Sequence, residues 1–333
     1  MAHIAIIGST TWGTTLAIIN AEEGKHVSLL VRTEKESNLL RKHRENQRFL
    51  PGITFPDTLE ITSKSQDLIP KTNLLVIAVP SQTFRENVSA ISNYISEPTI
   101  IVSASKGLES TSGMRMTEII EEEIPNLSPD NLCALSGPNL SNEILAGKPS
   151  SSVISSINLT TAKSAQSILR CSQLRLYTNT DVIGVEICGA LKNITAIAAG
   201  ICDGLNLGDN AKASIITRGL AEMARFGSAI GAKPSTFSGL AGMGDLIATC
   251  SSRLSRNNQV GRMLAKDISL SQIEKSMANV AEGIETTRAV VLVANQLNID
   301  LPIAQAIYNI LFKNLSVRDA REELMGRTLT SET

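Results

Sequence analysis

His3-Ile-Ala-Ile-Ile-Gly-Ser-Thr-Thr-Trp-Gly13 begins as a short apolar run and breaks at Gly8. An apolar helix is expected from about Thr14 to Glu23, Gly24-Lys25 supplies a turn, and His26-Val-Ser-Leu-Leu-Val-Arg32 reads as a second strand. Strand, glycine turn, helix and strand within about thirty residues form the opening of a dinucleotide-binding unit. Its usual spacing is Gly-x-Gly-x-x-Gly. Gly8 and Gly13 hold the first and third places, and Thr10 stands where the middle glycine would be. That glycine normally lets the backbone approach a pyrophosphate, so a Cβ at residue 10 should push a cofactor outward or force a local shift. At the end of the second strand an acidic residue would bond the ribose 2′-hydroxyl of NAD. This chain has Arg32-Thr33, with Glu34 only later. Arg32 can stack on adenine or pair with a 2′-phosphate, which favours acceptance of NADPH; a surface arginine after a strand is the plainer alternative.

The pattern continues through residue 178. Residues 33–50 are polar and basic and read as a helix, and residues 49–56 as loop and turn. Further strands are expected at residues 74–79, 99–103, 132–136, 151–156 and 174–178. Buried strands alternating with helices predict an α/β fold with a parallel, doubly wound, Rossmann-like sheet. Ligands of such sheets bind beyond the carboxyl ends of the strands. Gly8, Pro80, Lys106 and Gly137 all fall at those ends.

Strand signals stop near residues 178–181, which suggests residues 1–180 as a dinucleotide-binding domain and 181–333 as an all-α C-terminal domain. The second part opens with Glu186-Ile-Cys-Gly-Ala-Leu-Lys-Asn-Ile-Thr-Ala-Ile-Ala-Ala-Gly-Ile-Cys-Asp203, in which Lys192 is the one charge between the two ends. A segment apolar all round reads as a buried helix, and this one is too short and too interrupted to span a membrane. An ammonium there is costly unless it is paired or its pKa falls, so Lys192 is a candidate proton donor or carbonyl-binding group; a snorkelling or simply paired lysine is the alternative. Further helices are expected at residues 211–226, 271–276, 284–297 and 303–311. Between them lies a glycine-rich loop, Ser238-Gly-Leu-Ala-Gly-Met-Gly-Asp245, whose glycines need either tight packing or a ligand to explain them. Asp245 is a possible partner for a buried lysine, and Arg256 beside Asn257 has the donors of a phosphate clamp.

Composition narrows the function. A length of 333 residues allows roughly two full cores. A net charge of −1 provides no polybasic field for nucleic acid or an anionic membrane. Aromatics at 3% are too scarce for a base-stacking module. The cysteines Cys133, Cys171, Cys188, Cys202 and Cys250 show no CxxC pair or zinc spacing, which fits reduced thiols and a cytoplasmic home, and no metal site is expected. No signal-peptide design precedes the first strand. The histidines are His3, His26 and His43, with His3 and His26 read as structural. Acid-base chemistry in the second half therefore falls to Lys, Asp or Glu, which weakens hydrolase triads and His-dependent hydroxyacid dehydrogenase mechanisms. The tail, residues 327–333, is expected to be loosely ordered.

Taken together, several segments resemble the bacterial type of NAD(P)-dependent glycerol-3-phosphate dehydrogenase. They are Trp12-Gly13, Phe49-Leu-Pro-Gly52, Ser105-Lys-Gly107, Ser136-Gly-Pro138, Leu191-Lys-Asn193, Ala196-Ile-Ala-Ala-Gly-Ile-Cys-Asp-Gly204, Gly239-Leu-Ala-Gly-Met-Gly-Asp245, Ser255-Arg-Asn257, Val280-Ala-Glu-Gly283 and Leu324-Met-Gly-Arg327, in the family's order over nearly the whole chain. The resemblance implies a Rossmann-like sheet followed by a helical domain of the 6-phosphogluconate-dehydrogenase kind. It implies reversible reduction of dihydroxyacetone phosphate to sn-glycerol 3-phosphate by NADH or NADPH, feeding phospholipid synthesis. By the same resemblance Lys192 is the acid-base residue, Lys106 helps bind the substrate and Asp245 supports the lysine. Gly137, Asn139, Asn193, Ser255, Arg256 and Asn257 would then surround the substrate. Gly8, Thr10, Thr11, Trp12, Gly13, Arg32, Phe49, Lys106, Ser141, Arg256, Val280 and Glu282 would contact the dinucleotide. Asn139 replaces a usual Ser, Ser141 a usual Ala and Thr10 the middle glycine. A homodimer without a membrane anchor is the family's implication for assembly. The competing readings are a β-hydroxyacid dehydrogenase of the same architecture and a dinucleotide-binding sensor without catalysis. The Ser-Arg-Asn clamp speaks against the first, and the retained Lys106, Lys192, Asp245 and Arg256 against the second.

Overall fold

The computed structural model describes residues 2–96, 98–277 and 281–328. Eight strands form one sheet: β1 His3–Ile7, β2 His26–Leu30, β3 Leu59–Thr62, β4 Leu74–Ile77, β5 Ile100–Ser103, β6 Leu132–Ser136, β7 Ser150–Ser155 and β8 Leu174–Asn179. Their spatial order is β3-β2-β1-β4-β5-β6-β7-β8. Helices α1 Thr11–Glu22, α2 Glu34–His43, α3 Ser65–Leu68, α4 Phe84–Ser89, α5 Met116–Glu123, α6 Ser141–Leu145 and α7 Leu159–Leu169 connect them. β1 and β4 are buried along their whole length, and apolar side chains pack on both faces: Leu16 and Ile19 of α1 on one, Phe84, Val88 and Ile119 on the other. A sheet covered on both sides explains the continuous apolar runs.

Three expectations change in the first half of the chain. The sheet is not wholly parallel, because β7 runs antiparallel to β6 while every other neighbouring pair is parallel. The link between them carries only the short α6 and turns the chain back instead of taking it over the sheet face. An edge strand, β3, was not expected; it is too short for its alternation to stand out. The helix read over residues 33–50 stops at His43, because Arg44 takes a left-handed conformation (φ 50°) that ends it.

After Asn179 the described residues form helices alone: α8 Val182–Gly204, α9 Gly208–Ala229, α10 Pro234–Phe237, α11 Asp245–Ser251, α12 Arg256–Leu264, α13 Leu270–Ser276, α14 Gly283–Gln296, α15 Pro302–Phe312 and α16 Val317–Met325. α8 is the axis of this half. It is long and apolar enough to cross a membrane, yet 94% of its most apolar window is buried among the other helices, so it is a core helix. Its approach to α12 is at backbone distance: a Cβ on Gly200 would lie 2.1 Å from the Asn258 carbonyl oxygen, and one on Gly261 2.0 Å from that of Ile197. Only glycine permits that contact. Residues 238–245 are not an open loop. Leu240–Gly244 forms a π-helical turn that runs directly into α11, and a Cβ on Gly242 would lie 2.1 Å from the Phe237 carbonyl oxygen. Tight packing therefore accounts for Gly242. Of the tail, Arg327 pairs with Asp300 at 2.7 Å, and residues 329–333 lie outside the described residues.

Candidate active site

The carboxyl ends of β1, β2, β4 and β5 open into one cavity of about 940 Å³, closed on its far side by α8, α11, α12 and the start of α14. Gly8 leaves β1 at φ +107°, and a Cβ there would lie 2.8 Å from the Ala78 carbonyl oxygen. A Cβ on Gly13 would lie 2.1 Å from the Gly8 carbonyl oxygen, so α1 starts hard against the end of its strand. Thr10, at φ −68° and ψ 168°, needs no unusual backbone. Its hydroxyl accepts from the Gly13 N–H at 3.1 Å and donates to the Ala78 carbonyl at 2.6 Å. The side chain that replaces the middle glycine is thus the N-cap of α1, tied to the end of β4. The first turn of α1 carries no acidic residue. The positive end of its dipole faces the cavity, the kind of end at which a pyrophosphate can sit, with the Glu36 carboxylate beside it on Ser9. Thr11, Trp12, Arg32, Phe49 and Ser141 line the same wall. Arg48 stacks over the Phe49 ring at 4.8 Å. Trp12 Nε1 is buried without a hydrogen-bond partner among the described residues. The turn, the bare helix end and the cavity fit a dinucleotide.

Deeper in, three expected residues meet. Asp245 is 1% exposed at the start of α11. Its Oδ1 accepts from Lys192 Nζ and its Oδ2 from Lys106 Nζ, each at 2.7 Å. Lys106 also donates to the Gly137 carbonyl at 2.7 Å, and Lys192 to Thr249 Oγ1 at 2.6 Å. Gly137 has a positive φ, and a Cβ there would lie 2.8 Å from the Ser152 Cα. Burial raises the Asp245 carboxyl, but the charges of Lys106 and Lys192 outweigh it and hold the group below its usual range. For Lys106 burial dominates: against the attraction of Asp245, and helped by repulsion from Lys192, it lowers the ammonium to about 8. Such a group changes charge within a few units of neutrality, as groups at functional sites often do.

At the mouth, Ser255 caps α12 by accepting from the Asn258 N–H at 3.3 Å, and Arg256 is the first residue of that helix. Helix N-terminus, hydroxyl and guanidinium together make an anion-binding corner. Asn257 donates to Asn193 Oδ1 at 2.8 Å and accepts from the Gly283 N–H at 3.0 Å, tying α8, α12 and α14 together. Asn139 Oδ1 accepts from Ser152 at 2.5 Å, while its Nδ2 is buried without a partner among the described residues. Glu282 bridges the two halves, accepting from the Ser81 N–H at 3.2 Å and from the Ser81 hydroxyl. Burial pushes its carboxyl up, against the Ser81 hydrogen bonds and the charge of Arg256.

Of the residues singled out in the sequence, Gly13, Gly137 and Asp245 stand behind the cavity wall, the others named above line it, and Val280 lies outside the described residues. Thr249 and Ser81 were not foreseen. Thr249 sits one helical turn beyond Asp245, and that spacing was its available signal.

A lysine pair sharing a buried carboxylate, set behind a dinucleotide-type turn, equips a protein for hydride chemistry on a carbonyl, and the class is that of the two-domain NAD(P)-dependent dehydrogenases. Two family models match, described as NAD-dependent glycerol-3-phosphate dehydrogenase N-terminus over residues 3–162 and C-terminus over residues 181–322. The chain is 46% identical to a glycerol-3-phosphate dehydrogenase [NAD(P)+] of Dehalococcoides mccartyi, covering 100% of this chain and 93% of that one. It is 44% identical to the protein of the same description from Chlorobium luteolum, over 98% of both. A crystal structure of glycerol-3-phosphate dehydrogenase from Coxiella burnetii superposes with a TM-score of 0.93 at 34% identity, over 98% of this chain and 99% of that one. The chain belongs to the NAD-dependent glycerol-3-phosphate dehydrogenase family, oxidoreductases that use NADH or NADPH.

Proposed function

We propose that the protein reduces dihydroxyacetone phosphate reversibly to sn-glycerol 3-phosphate, with Lys192 as general acid and base, and so supplies glycerophospholipid synthesis in the cytoplasm. The observation that carries this reading is the joint placement of Lys192, Lys106 and Asp245 behind a cavity whose mouth holds Ser255 and Arg256. When bound, the nicotinamide supplies the hydride. Negative charge then grows on the ketone oxygen. Lys192 is oriented by Asp245 and Thr249, stabilises that charge and gives up its proton, leaving the alcohol and a neutral amine. Lys106 adds a second positive charge at the same place. Arg256, Ser255 and the α12 N-terminus hold the phosphate, remote from the reacting carbon, and use its binding energy to fix the ketone. Asn139, Asn193 and Asn257 each bring an amide to the walls. Residues 1–180 serve the dinucleotide and 181–333 the substrate, and a homodimer belongs to the same proposal.

The anion corner favours a phosphorylated substrate over a plain hydroxyacid. The test is NADH and NADPH oxidation by the purified protein with dihydroxyacetone phosphate, with inorganic phosphate and simple carboxylates as competitors. Turnover with either cofactor, inhibited by phosphate and not by carboxylates, supports the reading. A folded protein that turns over with neither defeats it.

A further inference from the structure

The opposite end of the sheet carries a side-chain cluster that the reaction does not use. β1, β2 and β3 are parallel neighbours, and their register sets His3 beside His26 and Ser28 beside Glu60. Paired residues, and residues two apart on a strand, share a face. His3, His26, Ser28 and Glu60 therefore stand together on one side of the sheet, at the start of the strands. The two imidazoles are stacked, with centroids 3.8 Å apart and planes 8° from parallel. One ligand-capable atom each from His3, His26 and Glu60 lies within 4.8 Å of the other two.

The polar atoms of this cluster meet one another, and His26 Nε2 lies 3.4 Å from Glu60 Oε1. The Ser28 hydroxyl lies 2.9 Å from Glu60 Oε2. His3 Nε2 lies 2.9 Å from the same hydroxyl oxygen, and the ring also bonds a backbone carbonyl, that of Lys71. An ion bound here would take the place of the Ser28 hydroxyl at His3 Nε2.

We propose that His3, His26 and Glu60 form a binding site for a borderline transition-metal cation such as Zn²⁺, remote from the active site. Two imidazoles and a carboxylate suit that class of ion and leave a fourth, solvent-side position for water. Oxygen-seeking Mg²⁺ and Ca²⁺ would be poorly served by two imidazoles. His3 is buried and fixed; its ring lies nearly parallel to that of His26, so His26, which is exposed, would rotate out of the stack to aim a nitrogen at the same ion, and the exposed Glu60 would close from the other side. Bound there, the ion would tie β1, β2 and β3 together at the ends that face away from the cavity, so its effect falls on stability and not on turnover.

The experiment uses the full chain, freed of metal by a chelator and titrated with Co²⁺ as a spectroscopic probe and with Zn²⁺ in thermal melts. Expected are one equivalent of Co²⁺ bound with micromolar or tighter affinity and visible d–d absorption, and a melting point raised by Zn²⁺. His26→Gln and Glu60→Gln should each weaken binding at least about tenfold, the scale seen when a metal site loses a supporting partner, and remove the melting shift while leaving turnover unchanged. Both side chains are exposed, so the fold should survive either change. Absence of tight binding by the wild-type chain overturns the proposal. So does binding that persists undiminished in both variants, which would place the ion elsewhere.

Discussion

Replacing Asp245 by asparagine removes the one negative charge that two buried ammonium groups share and leaves the shape nearly unchanged. Lys192 and Lys106 each lie 2.7 Å from one of its oxygens. With charge centres about 4 Å apart and an effective dielectric near 20, each attraction amounts to roughly 4 kcal/mol. Losing only half of one of them, about 2 kcal/mol, corresponds to about 1.5 pH units. That would lower the Lys106 ammonium further, below the value of about 8 at which burial already holds it. The ammonium is the form that ketone reduction needs, so activity falls as pH rises through this value. The wild-type kcat/KM for reduction should therefore decline above about pH 8, and that of Asp245→Asn from about 1.5 pH units lower. At pH 7.5 the protonated fraction would drop by nearly tenfold. Loss of the charge-assisted bond that aims Lys192, worth about 1.5–3 kcal/mol, adds a further factor of roughly ten to a hundred. The combined expectation is a fall of about 10² to 10³ in kcat/KM. Deprotonation of one lysine relieves the unpaired charge, so the variant should still fold and bind dinucleotide, which a melt and a fluorescence titration would check. The assay is NAD(P)H oxidation across pH 5.5–9.5 with dihydroxyacetone phosphate. Activity within threefold of wild type, with the alkaline limb unmoved, would refute the coupling of Asp245 to the two lysines.

Arg256→Ala should raise KM for the phosphorylated substrate by about 10- to 100-fold, with a smaller loss of kcat, because it removes a charged hydrogen-bond donor remote from the reacting carbon; an unchanged KM would remove the phosphate role. Thr10→Val keeps the shape but loses the cap on α1 and the bond to Ala78, and should lower stability by about 0.5–2 kcal/mol, read from urea unfolding; an equal midpoint would show that the cap contributes nothing. Glu222 is buried on α9, where it accepts from the Ile303 and Ala304 N–H groups of α15, and burial, outweighing those bonds, raises its carboxyl from 4.5 to about 7. Between these values the folded protein holds a proton that the unfolded chain releases. The resulting stability is full below about pH 4.5 and is lost as pH rises through about 7. From pH 5 to 8 the wild type should therefore lose about 1–3 kcal/mol relative to Glu222→Gln, and parallel pH curves would contradict the assignment.

The order of strands and helices and the glycine turn were legible in the chain because they depend on neighbours in sequence. Apolar runs ending at Gly8, Ser103 and Ser136 name buried strands, and Lys192 inside an apolar segment names a buried charge. Such periodicity says which side of an element is buried. It does not say against what. The reversal of β7 came from a link too short to cross the sheet, and the edge strand β3 from pairing with β2. The glycines around residue 242 could equally have meant a ligand until Phe237 was found against them. Thr10 read as a defect in a motif, whereas its hydroxyl is bonded across to β4. Similarly, the sequence offered two lysines and an aspartate as separate candidates. Packing of α8 and α11 against the end of β5 made them one cluster, in which Lys106 titrates near neutrality. His3, His26 and Glu60 had no spacing that suggests a metal, because strand register, not separation along the chain, brings them within 4.8 Å. The sequence determined which groups are buried and which can carry charge. Tertiary structure decided which of them lie close enough to act together, since such interactions fall off within a few ångströms and only the folded chain sets those distances.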